Sequence, residues 1–272
     1  MKWLPIPHPS SLILLLVIAC AQRPQSTREI HRVVSLAPNI TEIVYAIGGG
    51  ARLVGADDFS DFPDAATGLP KVGGVEPNVE KVAALRPDLV IANASNVHPN
   101  LQRALAAVRI PLMVVRTERL TDVSAAMAQI EARLPGDRRR AIAAFDRQIE
   151  QQRRHRVRRP RVLFVVWTNP LYVAGRRTFV DDLIELTGAT NAADVTGWPQ
   201  YSLESFIAHR PDVILYPNRS VTPAAIRELL QRTNVNVQPV AVDENIFTRA
   251  GPRLADAAAS LNRILDAWEH SH

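Results

Sequence analysis

Asn78-Val79-Glu80-Lys81-Val82-Ala83-Ala84-Leu85-Arg86-Pro87-Asp88-Leu89-Val90-Ile91 is answered 124 positions further on by Ser202-Leu203-Glu204-Ser205-Phe206-Ile207-Ala208-His209-Arg210-Pro211-Asp212-Val213-Ile214-Leu215. Each copy opens on a capping residue, runs into a short helix, breaks at Arg-Pro-Asp and continues as an apolar strand. Asparagine and serine start helices because a side-chain oxygen accepts a free backbone amide. Proline ends them because it has no amide hydrogen and drives the preceding residue out of helical conformation. The chain therefore carries one helix-to-strand unit twice. In each copy a glutamate, Glu80 or Glu204, is the second residue after the cap. Val79, Val82 and Ala83, or Leu203, Phe206 and Ile207, are expected to face a sheet, so the acid projects outward. A first-turn carboxylate complements the helix dipole. Two such acids at equivalent places also make a two-point dock for a basic partner, and both readings are open at this stage.

Outward from the first copy the same rhythm continues. Val33-Val34-Ser35-Leu36 reads as a buried strand, Asn39-Ile40-Thr41-Glu42 as a capped helix start with its acid three residues on, and Gly48 as the stop. Leu53-Val54-Gly55-Ala56, Leu89 to Ala92 and Leu112 to Val115 are further strands, with a helix over Leu101–Val108. Beyond Pro160 come a strand at Arg161 to Val166, a helix over Phe179–Leu186 stopped by Gly188, and strands at Val213 to Tyr216 and Val240 to Val242. Alternation of this kind predicts an α/β fold, two Rossmann-like lobes with mostly parallel sheets. Between them Ile142, Phe145 and Ile149 recur at helical spacing inside Asp137–Arg156. One helix of about 20 residues, roughly 30 Å long, is expected to join the lobes. The divisions expected are an N-terminal lobe at 31–125, a connecting helical segment at 126–158 and a C-terminal lobe at 159–272.

The start of the chain reads differently. Lys2 precedes the apolar run Ser11 to Ala19, and then comes Cys20, the single cysteine among 272 residues. The run falls short of the roughly 20 residues a membrane-spanning helix needs. Residues 1–19 therefore read as a signal peptide, and Val17-Ile18-Ala19-Cys20 resembles a lipobox, with Cys20 as the lipidated residue of a polar tether over 20–30. An ordinary cleaved signal with an incidental cysteine would export the protein equally. One cysteine excludes an internal disulfide and a Cys-x-x-Cys redox pair. The formal charge of +5 gathers in Arg138-Arg139-Arg140 and in Arg153 to Arg159. These runs lack interleaved aromatics, so solvated helix faces, and not nucleic acid, are expected.

No Gly-x-Gly-x-x-Gly, Walker loop, Gly-x-Ser-x-Gly or His-Glu-x-x-His is present, so the sequence offers no catalytic machinery. Asp57, Asp58, Asp61 and Asp64 do not follow an EF-hand order, and His31, His98, His155 and His209 lack zinc-ligand spacing. Neither a resident metal nor a catalytic cofactor is expected. The aromatics are more telling. They form only 6% of the chain, yet Phe59, Phe62, Trp167, Tyr172, Trp198, Tyr201 and Phe247 fall where strands should end, which is where ligands sit in such sheets. Core packing is the competing reading for each ring taken singly. With Arg249 they compose the candidate ligand site, to which a family resemblance adds Asn245.

Several motifs taken in order resemble the BtuF-like periplasmic binding proteins that serve cobalamin, haem and siderophore ABC importers. They are Val33 to Glu42, Val72-Gly73-Gly74, Glu80 with Arg86-Pro87-Asp88-Leu89-Val90, and Arg249-Ala250-Gly251-Pro252-Arg253. The resemblance runs from about residue 31 to about 265 and implies two lobes bridged by a rigid helix with a ligand in the cleft. It implies that Glu80 and Glu204 dock on arginines of the permease of an importer complex with its ATPase, and that the chain is a periplasmic monomer. Phe59 and Phe62, Trp198 in Gly197-Trp198-Pro199-Gln200, and Arg249 resemble corrin-contacting residues of cobalamin-binding members. Cobalamin or a related corrinoid is then the transported ligand. The loop Val72 to Pro77 lacks a tryptophan found in those members, and Asn245 stands where they have an aspartate, so haem or a ferric siderophore remains the alternative.

Overall fold

The computed structural model describes residues 29–134 and 139–271. The proposed signal peptide, Cys20, nearly all of its tether, and Arg138 lie outside the described residues. The N-terminal lobe contains β1 (Val33–Ser35), α1 (Pro38–Ala46), β2 (Leu53–Ala56), α2 (Val79–Ala84), β3 (Leu89–Asn93), α3 (Pro99–Ala107) and β4 (Leu112–Val115). Helices α4 (Leu120–Glu131) and α5 (Arg139–Glu150) follow. The C-terminal lobe contains β5 (Arg161–Thr168), β6 (Leu171–Val173), α6 (Phe179–Leu186), β7 (Thr190–Asn191), α7 (Leu203–His209) and β8 (Val213–Pro217). It closes with α8 (Pro223–Thr233), β9 (Pro239–Val242), α9 (Glu244–Phe247) and α10 (Leu254–Ser271). The first sheet runs β2-β1-β3-β4, all parallel. The second runs β6-β5-β8-β9, with β7 beside the start of β5 and only β6 antiparallel.

The duplicated unit is equivalent down to its hydrogen bonds. Asn78 caps α2 by accepting from Lys81 N at 2.9 Å, and Ser202 caps α7 by accepting from Ser205 N at 3.0 Å. Arg86 and Arg210 turn the corner in the left-handed region, with φ of 46° and 39°. Past each proline an aspartate staples the neighbouring strand: the Asp88 carboxylate accepts from Arg32 N at 3.0 Å and the Asp212 carboxylate from Arg161 N at 2.7 Å.

Strand alternation then sorts side chains into two kinds of core. Val33, Leu89 and Ile91 from the first sheet, with Val162, Phe164, Val213 and Leu215 from the second, belong to one continuous cluster that also holds Ile40, Met127, Phe145, Phe179 and Leu261. Val34, Val90 and Ala92 face the opposite way, toward α2 and α3, and Leu163, Val165 and Ile214 face α7 and α8. Inner helices from both lobes and from the connection thus share one core, while α2 and α7 cover the outer faces. Val82 and Phe206 bury beneath them, but Ile207 is exposed, contrary to the sheet-facing position expected from its spacing.

Two expectations change. The connection holds two helices of twelve residues, α4 and α5, each rising about 18 Å, where a single helix of about 20 residues was expected. Pro135 and Gly136 separate them in sequence. α5 ends at Glu150 because the chain there turns toward α6: Arg154 N donates to the Leu186 carbonyl at 3.0 Å. Helix α1 also begins two residues early, at Pro38, with Ala37 and not Asn39 at its cap and no side-chain cap bond. The polar residues that read as its capping signal, Asn39 and Glu42, are engaged across the lobes.

Candidate interlobe ligand cleft

The carboxyl ends of the parallel strands in both lobes open on one cleft of about 440 Å³, and the amino ends of α1 and α6 border it. Phe59 and Arg249 reach this cleft because the loop after β2 is tightly built. Asp57, buried, accepts from Phe59 N at 3.1 Å and from the Ser60 hydroxyl, and burial pushes its carboxyl above the usual range. Asp58 accepts from Gly73 N at 3.1 Å. At Gly74 an added Cβ would come within 3.0 Å of the Phe59 ring, so a glycine there leaves the ring its place. The ring itself is 55% exposed. Across the cleft Trp198 follows Gly197, whose φ of 79° favours glycine. Trp198 is 40% exposed and its ring rests on Phe179 at 5.4 Å between centroids.

Arg249 spans the mouth. Its Nη1 donates to Asp61 Oδ1 at 2.5 Å and to Glu42 Oε1 at 3.3 Å, and its Nη2 to the Phe59 carbonyl at 3.3 Å. The Arg249 hydrogen bond holds the Asp61 carboxyl below its ordinary range. Glu42, on α1, accepts also from Arg253 Nε at 3.0 Å and Nη2 at 2.5 Å. The Arg253 guanidinium lies 4.1 Å from the centroid of the Phe62 ring. Asp57, Asp58 and Asp61 are therefore employed in building the loop and holding it to the C-terminal lobe. Among the described residues no group of three histidines, cysteines or acids is placed to hold a metal ion.

Of the candidate ligand residues, the structure brings Phe59, Trp198 and Arg249 together on the cleft surface. Phe62 sits behind them under Arg253. Trp167 and Tyr172 face each other in the β5–β6 hairpin, with Trp167 Nε1 donating to the Asn169 carbonyl at 3.0 Å, and neither lines the cleft. Asn245 lies on α9, 3.4 Å from Arg219 Nη1, also outside the lining. Two rings belong to the protein interior instead. Phe247 is buried and stacks on Phe164, with centroids 6.2 Å apart. Tyr201 is buried too, its hydroxyl donating to Asp194 at 3.3 Å and lying 3.0 Å from His209 Nδ1; burial pushes the phenol up to about 12. An aromatic at a strand end satisfies core and site equally well in sequence, and only packing separates them.

Glu80 and Glu204 are both exposed in the first turns of α2 and α7. Sequence reasoning passed over Asn93, Thr117, Glu118, Phe179 and Glu244, all of which line the cleft. Asn93 and Thr117 carried a usable signal, being polar residues at the carboxyl ends of β3 and β4.

Residues 33–248 match the family model described as periplasmic binding protein, and the chain belongs to that family. A vitamin B12-binding protein of Pectobacterium atrosepticum is 31% identical over 260 residues, covering 91% of each chain. The periplasmic haem-binding protein BhuT, solved with two haems, superposes with a TM-score of 0.71 at 30% identity, over 87% of this chain and 98% of that one. The vitamin B12-binding protein BtuF of Vibrio cholerae superposes with a TM-score of 0.75 at 23% identity, over 88% of this chain and 98% of its own, and shares the fold. No described helix is long and apolar enough to cross a membrane.

Proposed function

We propose that this chain is the solute-binding lipoprotein of an ABC importer, taking cobalamin or a related corrinoid into the interlobe cleft and delivering it to the permease. The observation that carries the ligand assignment is the composition of the cleft lining. It presents two exposed rings, Phe59 and Trp198, and contains no histidine, cysteine, methionine or tyrosine among the described residues. Haem iron is held in proteins by those four residue types, whereas cobalamin brings axial ligands of its own and asks of the protein mainly flat apolar faces and hydrogen bonds. Charge points the same way. Arg249 is already neutralised by Asp61 and Glu42, and Glu118 and Glu244 add negative charge to the lining, so an anionic chelate meets no free cation there. The relation to the vitamin B12-binding protein supports this choice.

Docking to the permease is assigned to Glu80 and Glu204, which the repeated unit places at matching first-turn positions, where charge-assisted bonds to arginine would orient a transient complex. Attachment to the membrane is assigned to lipid on Cys20. Haem is the second reading, favoured by the 30% identity to BhuT. Equilibrium titration of the purified protein with cyanocobalamin, haemin and a ferric siderophore distinguishes these. Tight binding of cyanocobalamin is expected; tight binding of haemin with none of any corrinoid would overturn the assignment.

A further inference from the structure

The floor of the cleft holds a polar cluster whose hydrogen-bonding capacity the protein does not use up. Asn39 lies in the first turn of α1, Asn93 is the last residue of β3, and Thr117 follows β4 by two residues. Asn39 Nδ2 donates to Thr117 Oγ1 at 3.0 Å and to the Ala250 carbonyl at 3.1 Å. Asn93 Nδ2 donates to the same threonine oxygen, while its Oδ1 accepts from Ser95 N at 3.2 Å. Backbone partners fix both amides. A carbonyl only accepts, so Asn39 presents its nitrogen to Ala250, and a backbone amide only donates, so Asn93 presents its oxygen to Ser95.

A hydroxyl has one hydrogen to give and two lone pairs to receive with. Both Asn side chains occupy the lone pairs of Thr117, so its hydrogen must point to a third partner, and none of the described residues supplies one. Thr117 is 3% exposed and Asn39 6%, and both line the cleft. The Asn39 Oδ1 likewise receives no hydrogen bond from any of the described residues. No fully buried side-chain nitrogen or oxygen among the described residues lacks a partner. This oxygen is therefore open to space, and the space beside Asn39 is the cleft. A donor and an acceptor stand side by side facing the cleft, and once a ligand excludes water from them a polar group left unpaired is costly.

We infer that Thr117 and Asn39 form a subsite for one primary carboxamide of the ligand: the Thr117 hydroxyl donates to the carboxamide oxygen and Asn39 Oδ1 accepts from its nitrogen. The inference rests on the corrinoid reading and sharpens it, because a corrin ring carries primary carboxamides around its edge where haem carries carboxylates. A carboxylate here would set a lone pair against Asn39 Oδ1. It would also lose its hydration with no available cation, since Arg249 is held by Asp61 and Glu42. Discrimination by such unpaired-group penalties is steeper than discrimination by shape alone.

The test uses cyanocobalamin and a panel of its monocarboxylate derivatives, each with one peripheral carboxamide converted to a carboxylate, titrated against wild-type protein, Thr117→Val and Thr117→Ser. In wild-type protein one isomer should bind about tenfold or more weakly than the rest. Thr117→Val should weaken cyanocobalamin by a similar factor, and Thr117→Ser should restore it. Isomers that all bind alike, or a valine variant that binds as well as wild type, overturn the subsite. Should Thr117→Val fail to fold, the wild-type panel decides alone. Failure of cyanocobalamin itself to bind refutes the corrinoid assignment instead, so the two ideas fail in different ways.

Discussion

Replacing Glu42 by glutamine isolates the interaction that ties the two lobes at the mouth of the cleft. The substitution keeps the shape of the side chain, removes its charge and points an amide donor at a guanidinium. Glu42 is 2% exposed and accepts three bonds, two from Arg253 and one from Arg249, whose side chains are 16% and 14% exposed. Arg249 retains Asp61 as a partner. Among the described residues Arg253 then has no carboxylate partner and keeps neutral ones, such as the Asn245 carbonyl at 3.3 Å and the face of Phe62. Removing one member of a buried pair costs about 3–5 kcal/mol, because the other charge remains desolvated and uncompensated. The lower figure applies here, since one of the two arginines keeps a carboxylate. A loss of about 3 kcal/mol is a large part of the roughly 5–15 kcal/mol by which a domain is stable. For a chain of this size it lowers the melting temperature by about 6–12 °C. Calorimetry and urea unfolding of wild type, Glu42→Gln, Arg253→Met and the double variant measure it. The double variant should be more stable than the sum of the single losses predicts, by about 1–3 kcal/mol, because removing Arg253 also removes the orphaned charge. A melting temperature unchanged by Glu42→Gln, or strictly additive losses, would refute the reasoning that this pair is a buried lock.

Two further outcomes are expected. The Tyr201 phenol titrates near 10 in the unfolded chain but at about 12 when folded. Its contribution is thus intact below pH 10 and lost as pH rises from 10 to 12, on the order of 2 kcal/mol. Urea unfolding at pH 9 and 11.5 should show this alkaline loss in wild type and a smaller one in Tyr201→Phe, and identical pH dependence in both would contradict it. Glu80→Ala combined with Glu204→Ala should leave the cyanocobalamin affinity of the purified protein unchanged and abolish import in cells that depend on this protein. Import surviving at the wild-type rate would remove both acids from the docking role.

Much of the architecture was legible before any coordinates. The continuous apolar runs of β1, β3, β5 and β8, buried on both faces, the Arg-Pro-Asp corners at Arg86 and Arg210 and the caps at Asn78 and Ser202 depend on neighbours within a few residues, so local chemistry specifies them. The same holds for the outward pose of Glu80 and Glu204. The connection was half legible: its helical content showed in the spacing of Ile142, Phe145 and Ile149, but its division into α4 and α5 did not.

The site divides along the same line. Phe59 and Trp198 could be named because rings in glycine- and proline-rich loops are unusual, and Arg249 because the family resemblance points to it. Phe247 and Tyr201 could not be told from them, because whether a ring at a strand end turns to the cleft or to the interior is set by packing, for Phe247 against Phe164, 83 positions away. Asn39 and Glu42 misled for a related reason. A polar residue near a helix start satisfies a cap as well as it satisfies a partner in another lobe, and only the fold brings Ala250 and Arg253 within reach. Local pattern specifies two repeated α/β lobes and an outward acid on each. Which side chains meet across the cleft follows from the folded arrangement, because contacts between lobes join segments some 200 residues apart that no local pattern encodes.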